Sequence, residues 1–399
     1  MEEAHQVLLM NQTQNLLPEE LRSLTDIYNS CHVAFFSGES QNFKEAVRNE
    51  EWRKAMNEEM ISIEKNQIWK LVDLPKEKKA VGLKWVFKIK YNEYGSIQKH
   101  KGRIVAKGYS QQPGVDFTET FALVARMETI RIVLVLSAQL QLQVFQLVVK
   151  SAFLDDELQE EVYVQQPPGY ELKGKEDKVY RLHKALYGLK QAPRAWNHKI
   201  DLYLHQNGFS RSQSEPSLYI KKKGEDFLMV CLYVDDLIYT GTSKDMVAEF
   251  KTAMMKEFEM PDLGLMRYFL GIQAKQFPGK IFISQEKYVA DLLTKFHMSE
   301  CKLVASLMAA NEKLLQDDGA TKIDSKYFRS LVGSLIYLTN SRPNILYFVS
   351  IISRFMENPD KLHLEAAMRI LQYLQGTKNH GILYKQQDEN RLIGYSDGD

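Results

Sequence analysis

From Leu83 to Lys90 apolar and basic residues alternate, with Trp85, Phe87 and Ile89 on one face and Lys84, Lys88 and Lys90 on the other. A period of two residues predicts a half-buried strand. Asn92-Glu93-Tyr94-Gly95 offers a turn and Ile97 to Val105 a returning basic strand, so a hairpin with lysines along one side is expected. Just upstream, from about Asn49 to Lys65, the residues Trp52, Ala55, Met56, Ile61 and Ile63 approximate helical spacing; Asn49 is available as an N-cap and Glu50-Glu51 favour a helix start. Met127 to Gln141 reads as an amphipathic helix, Val144 to Phe153 as a mostly apolar strand of a central sheet, and Pro193 to Gly208 as a helix carrying Trp196, Ile200, Leu202 and Leu204. Two apolar runs, Phe227 to Leu232 and Leu237 to Tyr239, flank Tyr233-Val234-Asp235-Asp236 and predict a strand, a turn and a strand. A helix over Ser243 to Phe258, short strands over Tyr268 to Gln273 and Lys280 to Ser284, and helices over Ser330 to Thr339, Ile345 to Met356 and His363 to Leu374 follow. The expected class is α+β, mixed at first and mostly helical at the end.

Length and composition narrow this. A chain of 399 residues exceeds the usual single domain, so two or more packed units are expected. With 44% hydrophobic and 26% charged residues it has the composition of a globular protein, and its formal net charge of +1 is no global sign of nucleic-acid binding. Charge is unevenly placed, however. Lys78, Lys79, Lys84, Lys88, Lys90, Lys99, Lys101, Arg103 and Lys107 face a single acid, Glu93, within one stretch. Such a face can attract phosphates, and lysines equally protect an exposed strand edge from aggregation. Cys31, Cys231 and Cys301 are too few and too far apart for a zinc or disulfide framework, which suits a reducing compartment. No secretory signal opens the chain, and the apolar stretch Ile130 to Val149 carries Arg131 and four glutamines, too polar for a membrane span. A cytoplasmic or nuclear location without a membrane partner is expected.

Candidate chemistry centres on Asp235 and Asp236. Two carboxylates held side by side between greasy strands repel unless a cation neutralises them, the layout of a metal-dependent nucleotidyl-transfer site. Asp-Asp is also ordinary turn chemistry, and the pair alone does not separate the two readings.

Wider context favours the first. Glu51-Trp52-Arg53-Lys54-Ala55-Met56, Lys84-Trp85-Val86-Phe87-Lys88, Arg103-Ile104-Val105-Ala106-Lys107-Gly108-Tyr109, Tyr187-Gly188-Leu189-Lys190-Gln191-Ala192-Pro193-Arg194-Ala195-Trp196, Tyr233-Val234-Asp235-Asp236 and Tyr268-Phe269-Leu270-Gly271-Ile272 occur in the order and spacing of a known family. From about Asn42 onward the chain resembles the reverse transcriptase region of copia-type LTR-retrotransposon polyproteins. That resemblance implies a right-hand polymerase: a polar linker over 1–42, fingers over 43–125, palm over 126–242, primer grip and thumb over 243–301, a helical connection region over 302–393, and the opening of an RNase H-like domain over 394–399. It implies RNA-directed DNA polymerisation on a primed RNA or DNA template with dNTPs, catalysed with Mg²⁺ or Mn²⁺ held by Asp235 and Asp236. It also implies nucleotide contacts for Arg103, Lys107, Phe153 and Gln191, and primer contacts for Tyr268, Phe269, Leu270 and Gly271.

The chain departs from the family at a costly place. Where a third carboxylate is expected, in a segment of the form Gln-Leu-Asp-Val-Lys-Ser-Ala-Phe-Leu, this chain reads Gln146-Leu147-Val148-Val149-Lys150-Ser151-Ala152-Phe153-Leu154. Valine has no lone pair for a metal. Asp155 and Asp156 lie seven and eight residues along, about 23 to 26 Å away if the strand stays extended. Lost or severely impaired polymerisation is the expectation, with folding intact because a β-branched residue suits a buried strand; the alternative is a relic that binds primer-template without extending it. Gly102 for alanine, Leu123 for proline, Asp155-Asp156 for Asn-Gly and Leu307 for Thr-Pro are further departures, and with no integrase before it and no complete RNase H after it the chain is expected to be a fragment of a decayed element.

Overall fold

The computed structural model describes residues 43–91, 97–120, 125–150, 152–154, 158, 160–308, 314–316 and 319–388. Helix α1 (Glu50–Lys65) starts where the sequence places it, because the Asn49 side chain accepts from the N–H groups of Glu51 and Trp52. Strands β1 (Trp69–Val72), β2 (Leu83–Tyr91) and β3 (Ile97–Ala106) follow, then α2 (Met127–Gln139), β4 (Phe145–Val148), β5 (Tyr163–Val164), β6 (Val179–Leu182) and α3 (Ala192–Gln206). Next come β7 (Ser210–Arg211), β8 (Leu218–Lys223), β9 (Asp226–Tyr233), β10 (Asp236–Gly241), α4 (Lys244–Glu257) and β11 (Asp262–Leu265). The remainder holds β12 (Tyr268–Phe269), β13 (Ile272–Phe277), β14 (Lys280–Ser284), α5 (Glu286–Lys295), α6 (Ser325–Leu338), α7 (Leu346–Ser353), α8 (Lys361–Gly376) and β15 (Gly381–Lys385).

These elements divide into two compact units, one built from 36–129 and 145–264, the other from 130–144 and 265 onward. The first unit carries the acid pair on a six-stranded sheet ordered β11-β4-β10-β9-β8-β7. Leu147, Leu228, Val230, Leu232, Leu237 and Tyr239 from this sheet are buried against Trp196, Ile200 and Leu204 of α3 and Phe250 and Met254 of α4. The β2–β3 hairpin is antiparallel as expected: Trp85, Phe87 and Ile89 are buried on α1 through Trp52 and Met56, while Lys84 and Lys88 are exposed. Its predicted turn at Asn92 to Gly95 lies outside the described residues.

The second unit has a four-stranded sheet, β12-β13-β14-β15, and a helical core of Leu292, Phe328, Leu331, Leu335, Val349, Ile352, Ile370 and Leu371. Arg342 is fully buried there, with no ion pair to a carboxylate among the described residues. Its guanidinium donates to the carbonyl and hydroxyl of Thr377 at the C-terminus of α8, where the helix dipole is negative. Burial lowers its pKa to about 10.

Two strand expectations need correction. The run Val144 to Phe153 is strand only over Phe145–Val148, and Ala152–Leu154 forms a 3-10 turn. The run Tyr268 to Gln273 is broken into β12 and β13 by a turn at Leu270-Gly271. Among the described residues no helix is long and apolar enough to cross a membrane.

Gly102 sits in β3 with its missing Cβ at 3.5 Å from the backbone nitrogen of Met56, an ordinary contact distance. Alanine fits, and the alanine expected from the resemblance leaves no clash. Gly102→Ala is expected to raise the unfolding free energy by about 0.5 to 1 kcal/mol, read from denaturant midpoints.

Candidate active site

Strand β9 ends at Tyr233 and β10 begins at its pairing partner Asp236, leaving Val234 and Asp235 as a two-residue turn. Both acids are half-buried. Val234 has φ +53°, while Asp235 is not among the residues of positive φ, the pattern of a type II′ turn, whose first central position is normally glycine. For a β-branched residue this backbone is an outlier costing on the order of 1 to 3 kcal/mol. Both turn carbonyls are engaged: Val234 O accepts from the indole Nε1 of Trp196 at 2.6 Å, and Asp235 O from the Val149 N–H at 2.8 Å.

The neighbouring strand decides what stands beside the acids. In the β4–β10 register Val148 lies opposite Asp236 and Leu147 opposite Leu237. Directly opposed residues point to one face with Cβ atoms about 4.5 to 5.5 Å apart. Position 148 therefore shares a face with Asp236, next to the turn that carries Asp235, while Leu147 and Val149 are buried. Beyond Val148 the chain turns, with Lys150 N–H donating to Glu259 O. The extended-strand distance to Asp155 and Asp156 no longer applies, and both lie outside the described residues.

Two adjacent carboxylates supply hard oxygen donors of the kind Mg²⁺ and Mn²⁺ take, and one such ion completes its shell with water. By residue type the pair suits a single divalent ion. It is one carboxylate short of the set the resemblance assigns to two ions, and among the described residues no group of three or more His, Cys, Asp or Glu gathers to hold a metal.

A second cluster forms around Tyr187. The Arg103 guanidinium lies over its ring at 4.1 Å, and Phe153 meets that ring edge-on at 5.2 Å between centroids. Burial pushes the Tyr187 phenol up to about 12, with Arg103 opposing and the charges of Asp235 and Glu59 adding to the rise. Its hydroxyl is buried without a hydrogen-bond partner among the described residues. Two glycines allow the approach. A Cβ on Gly188, where φ is +88°, would stand 2.3 Å from Ala106 O, and one on Gly108 would stand 2.0 Å from Gly188 O. The Ala106 N–H donates to Tyr187 O at 2.7 Å, closing the seam between β3 and this loop.

The other sequence-selected residues are placed as follows. Lys107 is half-buried with its side chain beside Gly82. Gln191 is fully buried, its amide accepting from Gln111 Nε2 at 3.0 Å and donating to Asp116 O at 3.2 Å, so both ends are engaged within the protein. Tyr187, four residues earlier, is marked in the sequence only by the Tyr-Gly dipeptide, a ring next to a residue free to take positive φ. Tyr268, Phe269, Leu270 and Gly271 belong to the other unit, at the β12–β13 hairpin. Tyr268 is exposed and Phe269 buried; Leu270 and Gly271 both have positive φ, as in a type I′ turn, and Leu270 O accepts from the Tyr337 hydroxyl.

Glu59 on α1 is a further half-buried acid near Arg103. Burial raises its carboxyl above the ordinary 4.5, while Arg103, the Ile104 N–H and Lys101 pull it down. The folded chain thus holds this proton more tightly than the unfolded chain. Its contribution to stability is greatest at pH 4.5 and below and falls as pH rises through the folded value. Glu59→Gln should flatten the pH dependence of the unfolding free energy above pH 4.5, and an unchanged slope would remove Glu59 as its source.

Residues 66–310 match the family described as reverse transcriptase (RNA-dependent DNA polymerase). The chain is 41% identical over 356 residues to the Pol polyprotein of transposon RE1 from Arabidopsis thaliana, covering 89% of this chain and 24% of that protein. It is 40% identical over 374 residues to the Pol polyprotein of transposon TNT 1-94 from Nicotiana tabacum, covering 90% and 28%. A truncated transposon Ty1-A Gag-Pol polyprotein of Saccharomyces cerevisiae is 26% identical over 322 residues, covering 75% and 26%. The chain spans about a quarter of the length of these polyproteins. With a mixed α/β architecture of several antiparallel sheets and a match over more than half its length, the chain belongs to the reverse transcriptase family, on the side of the copia-type retrotransposon Pol polyproteins.

Proposed function

We propose that the chain is a right-hand RNA-directed DNA polymerase core that binds primed template, and that Val148 leaves its primer extension lost or severely impaired. The division into fingers over 43–125, palm over 126–242, primer grip and thumb over 243–301 and helical connection over 302–393 belongs to this reading, while the stretches 1–42 and 394–399 lie outside the described residues. The observation that carries it is the pairing of Val148 with Asp236. On the face where a third acid would stand, the chain presents two methyl groups.

Each remaining residue has a physical task. Asp235 and Asp236 would hold the divalent ion, which when bound neutralises charge and polarises phosphate oxygens. Arg103 and Lys107 offer cations to a triphosphate; Arg103 is oriented by its stacking on Tyr187. Phe153, braced on the same ring, is the bulk that would crowd a ribose 2′-hydroxyl. Gln191 contributes by fixing the Gln111 to Asp116 loop at the start of α3, since its amide is occupied. Tyr268 to Gly271 would meet the primer.

Fluorescence anisotropy with a labelled primer-template, beside a primer-extension assay, tests this. Binding is expected to weaken linearly in log–log terms as salt rises, with no extension of the bound primer. Lys88→Glu, Arg103→Glu and Lys107→Glu should each weaken binding and lower the salt slope by about one. Robust extension by the unaltered chain refutes the impairment, and unchanged binding by all three variants removes the phosphate role of the hairpin.

A further inference from the structure

Taking the acid pair as the metal-binding centre proposed above, we infer that Trp196 is its positioning residue: the indole hydrogen bond to Val234 O holds the strained turn that carries Asp235 and leads into Asp236. Trp196 lies on the first turns of α3, buried to 1% exposure and packed edge-on against Phe258. A buried indole N–H needs an acceptor. It reaches past the core to a carbonyl of the turn and not to a neighbour on its own helix. The bond joins positions 38 residues apart in sequence.

The turn has reason to need such a hold. Valine at φ +53° is disfavoured, and relaxation toward negative φ would rotate the peptide that carries Val234 O and swing the following carboxylate. Only the surroundings prevent this. Strand pairing anchors Tyr233 and Asp236, and Val149 N–H anchors Asp235 O, but the carbonyl of Val234 itself is held by Trp196. Packing alone could be supplied by phenylalanine; the donor could not. The second unit offers an independent parallel, since the strained Leu270 turn has its carbonyl held by the Tyr337 hydroxyl, again a ring donor from a helix.

The test uses the full chain and two readouts. In metal-free protein, hydrogen exchange of the Val149 amide reports whether the turn keeps its place, because that amide is bonded to Asp235 O. Trp196→Phe should speed this exchange at least tenfold while amides at the far end of the β9–β10 ladder keep their protection. Phe258→Leu, which loosens the packing around the indole and keeps its donor, should lower the melting temperature without this local effect. Adding Val234→Gly to Trp196→Phe should restore protection, since glycine takes positive φ without strain. In the second readout, Mn²⁺ binding followed by electron paramagnetic resonance should weaken about tenfold in Trp196→Phe and recover in the double variant. Wild-type protection of Val149 in Trp196→Phe, or equal loss in Phe258→Leu, overturns the role of Trp196 whatever the metal does. Mn²⁺ binding that ignores Asp235→Asn and Asp236→Asn instead overturns the metal reading, and the exchange result still decides Trp196.

Discussion

Val148→Asp in the full chain is expected to raise primer extension by on the order of 10²- to 10³-fold, the return for regaining roughly 3 to 4 kcal/mol of transition-state stabilisation at about 1.36 kcal/mol per tenfold. The register makes this the right position to restore. Residue 148 shares a face with Asp236, whereas Leu147 and Val149 point into the core, so an acid at either neighbour would be buried without a partner. A second signature accompanies the gain. Opposed like charges on adjacent strands repel, so Val148→Asp should melt at a lower temperature than the parent in chelator and recover more of that loss when Mn²⁺ is added. Extension by the variant together with this metal-dependent recovery supports the reading. A variant that stays silent and gains no response to Mn²⁺ would place the defect elsewhere in the chain.

Gly188→Ala should be among the most damaging single changes available. Its φ of +88° is unfavourable for any residue with a Cβ, and that Cβ would be driven to 2.3 Å from Ala106 O and 2.5 Å from Val105 Cγ1, atoms of a paired strand that cannot give way cheaply. The expected cost is roughly 3 kcal/mol or more, a large fraction of the roughly 5 to 15 kcal/mol that holds a domain folded. Gly114→Ala is the matched control: φ is +77° there too, but nothing lies within 4 Å. It isolates the backbone cost, about 1 to 2 kcal/mol. Should both variants unfold at the same denaturant concentration, the close seam between β3 and the Tyr187 loop is not what the glycine protects. If Gly188→Ala still folds, loss of the Arg103–Tyr187 stack should show as weaker nucleotide binding.

Much of this architecture was legible in the residues, and the failures have identifiable causes. The alternation from Leu83 to Lys90 and the Asn49 cap predict the β2–β3 hairpin and α1 because both patterns are local and each face has a definite destination. The overrun of β4 arose because Val149, Ala152 and Phe153 are apolar whether they continue a strand or turn into a core; an apolar run does not announce where its hydrogen bonds stop. The break at Leu270-Gly271 was signalled by the glycine and obscured by the apolar residues around it. For the candidate site, the pairing partner of Asp236, the burial of the Gln191 amide against Gln111 and the reach of Trp196 all join positions remote in the chain. Spacing along a sequence carries no trace of such contacts.

The position of valine 148 also bears on heredity. Changing the second base of a valine codon from T to A gives aspartate or glutamate according to the third base, so a single transversion separates this strand from one bearing an acid in the same spot. A β-branched side chain suits a strand, so valine at this place leaves the pairing of β4 with β10 undisturbed. On the proposed reading, the missing acid is one base change away from this chain.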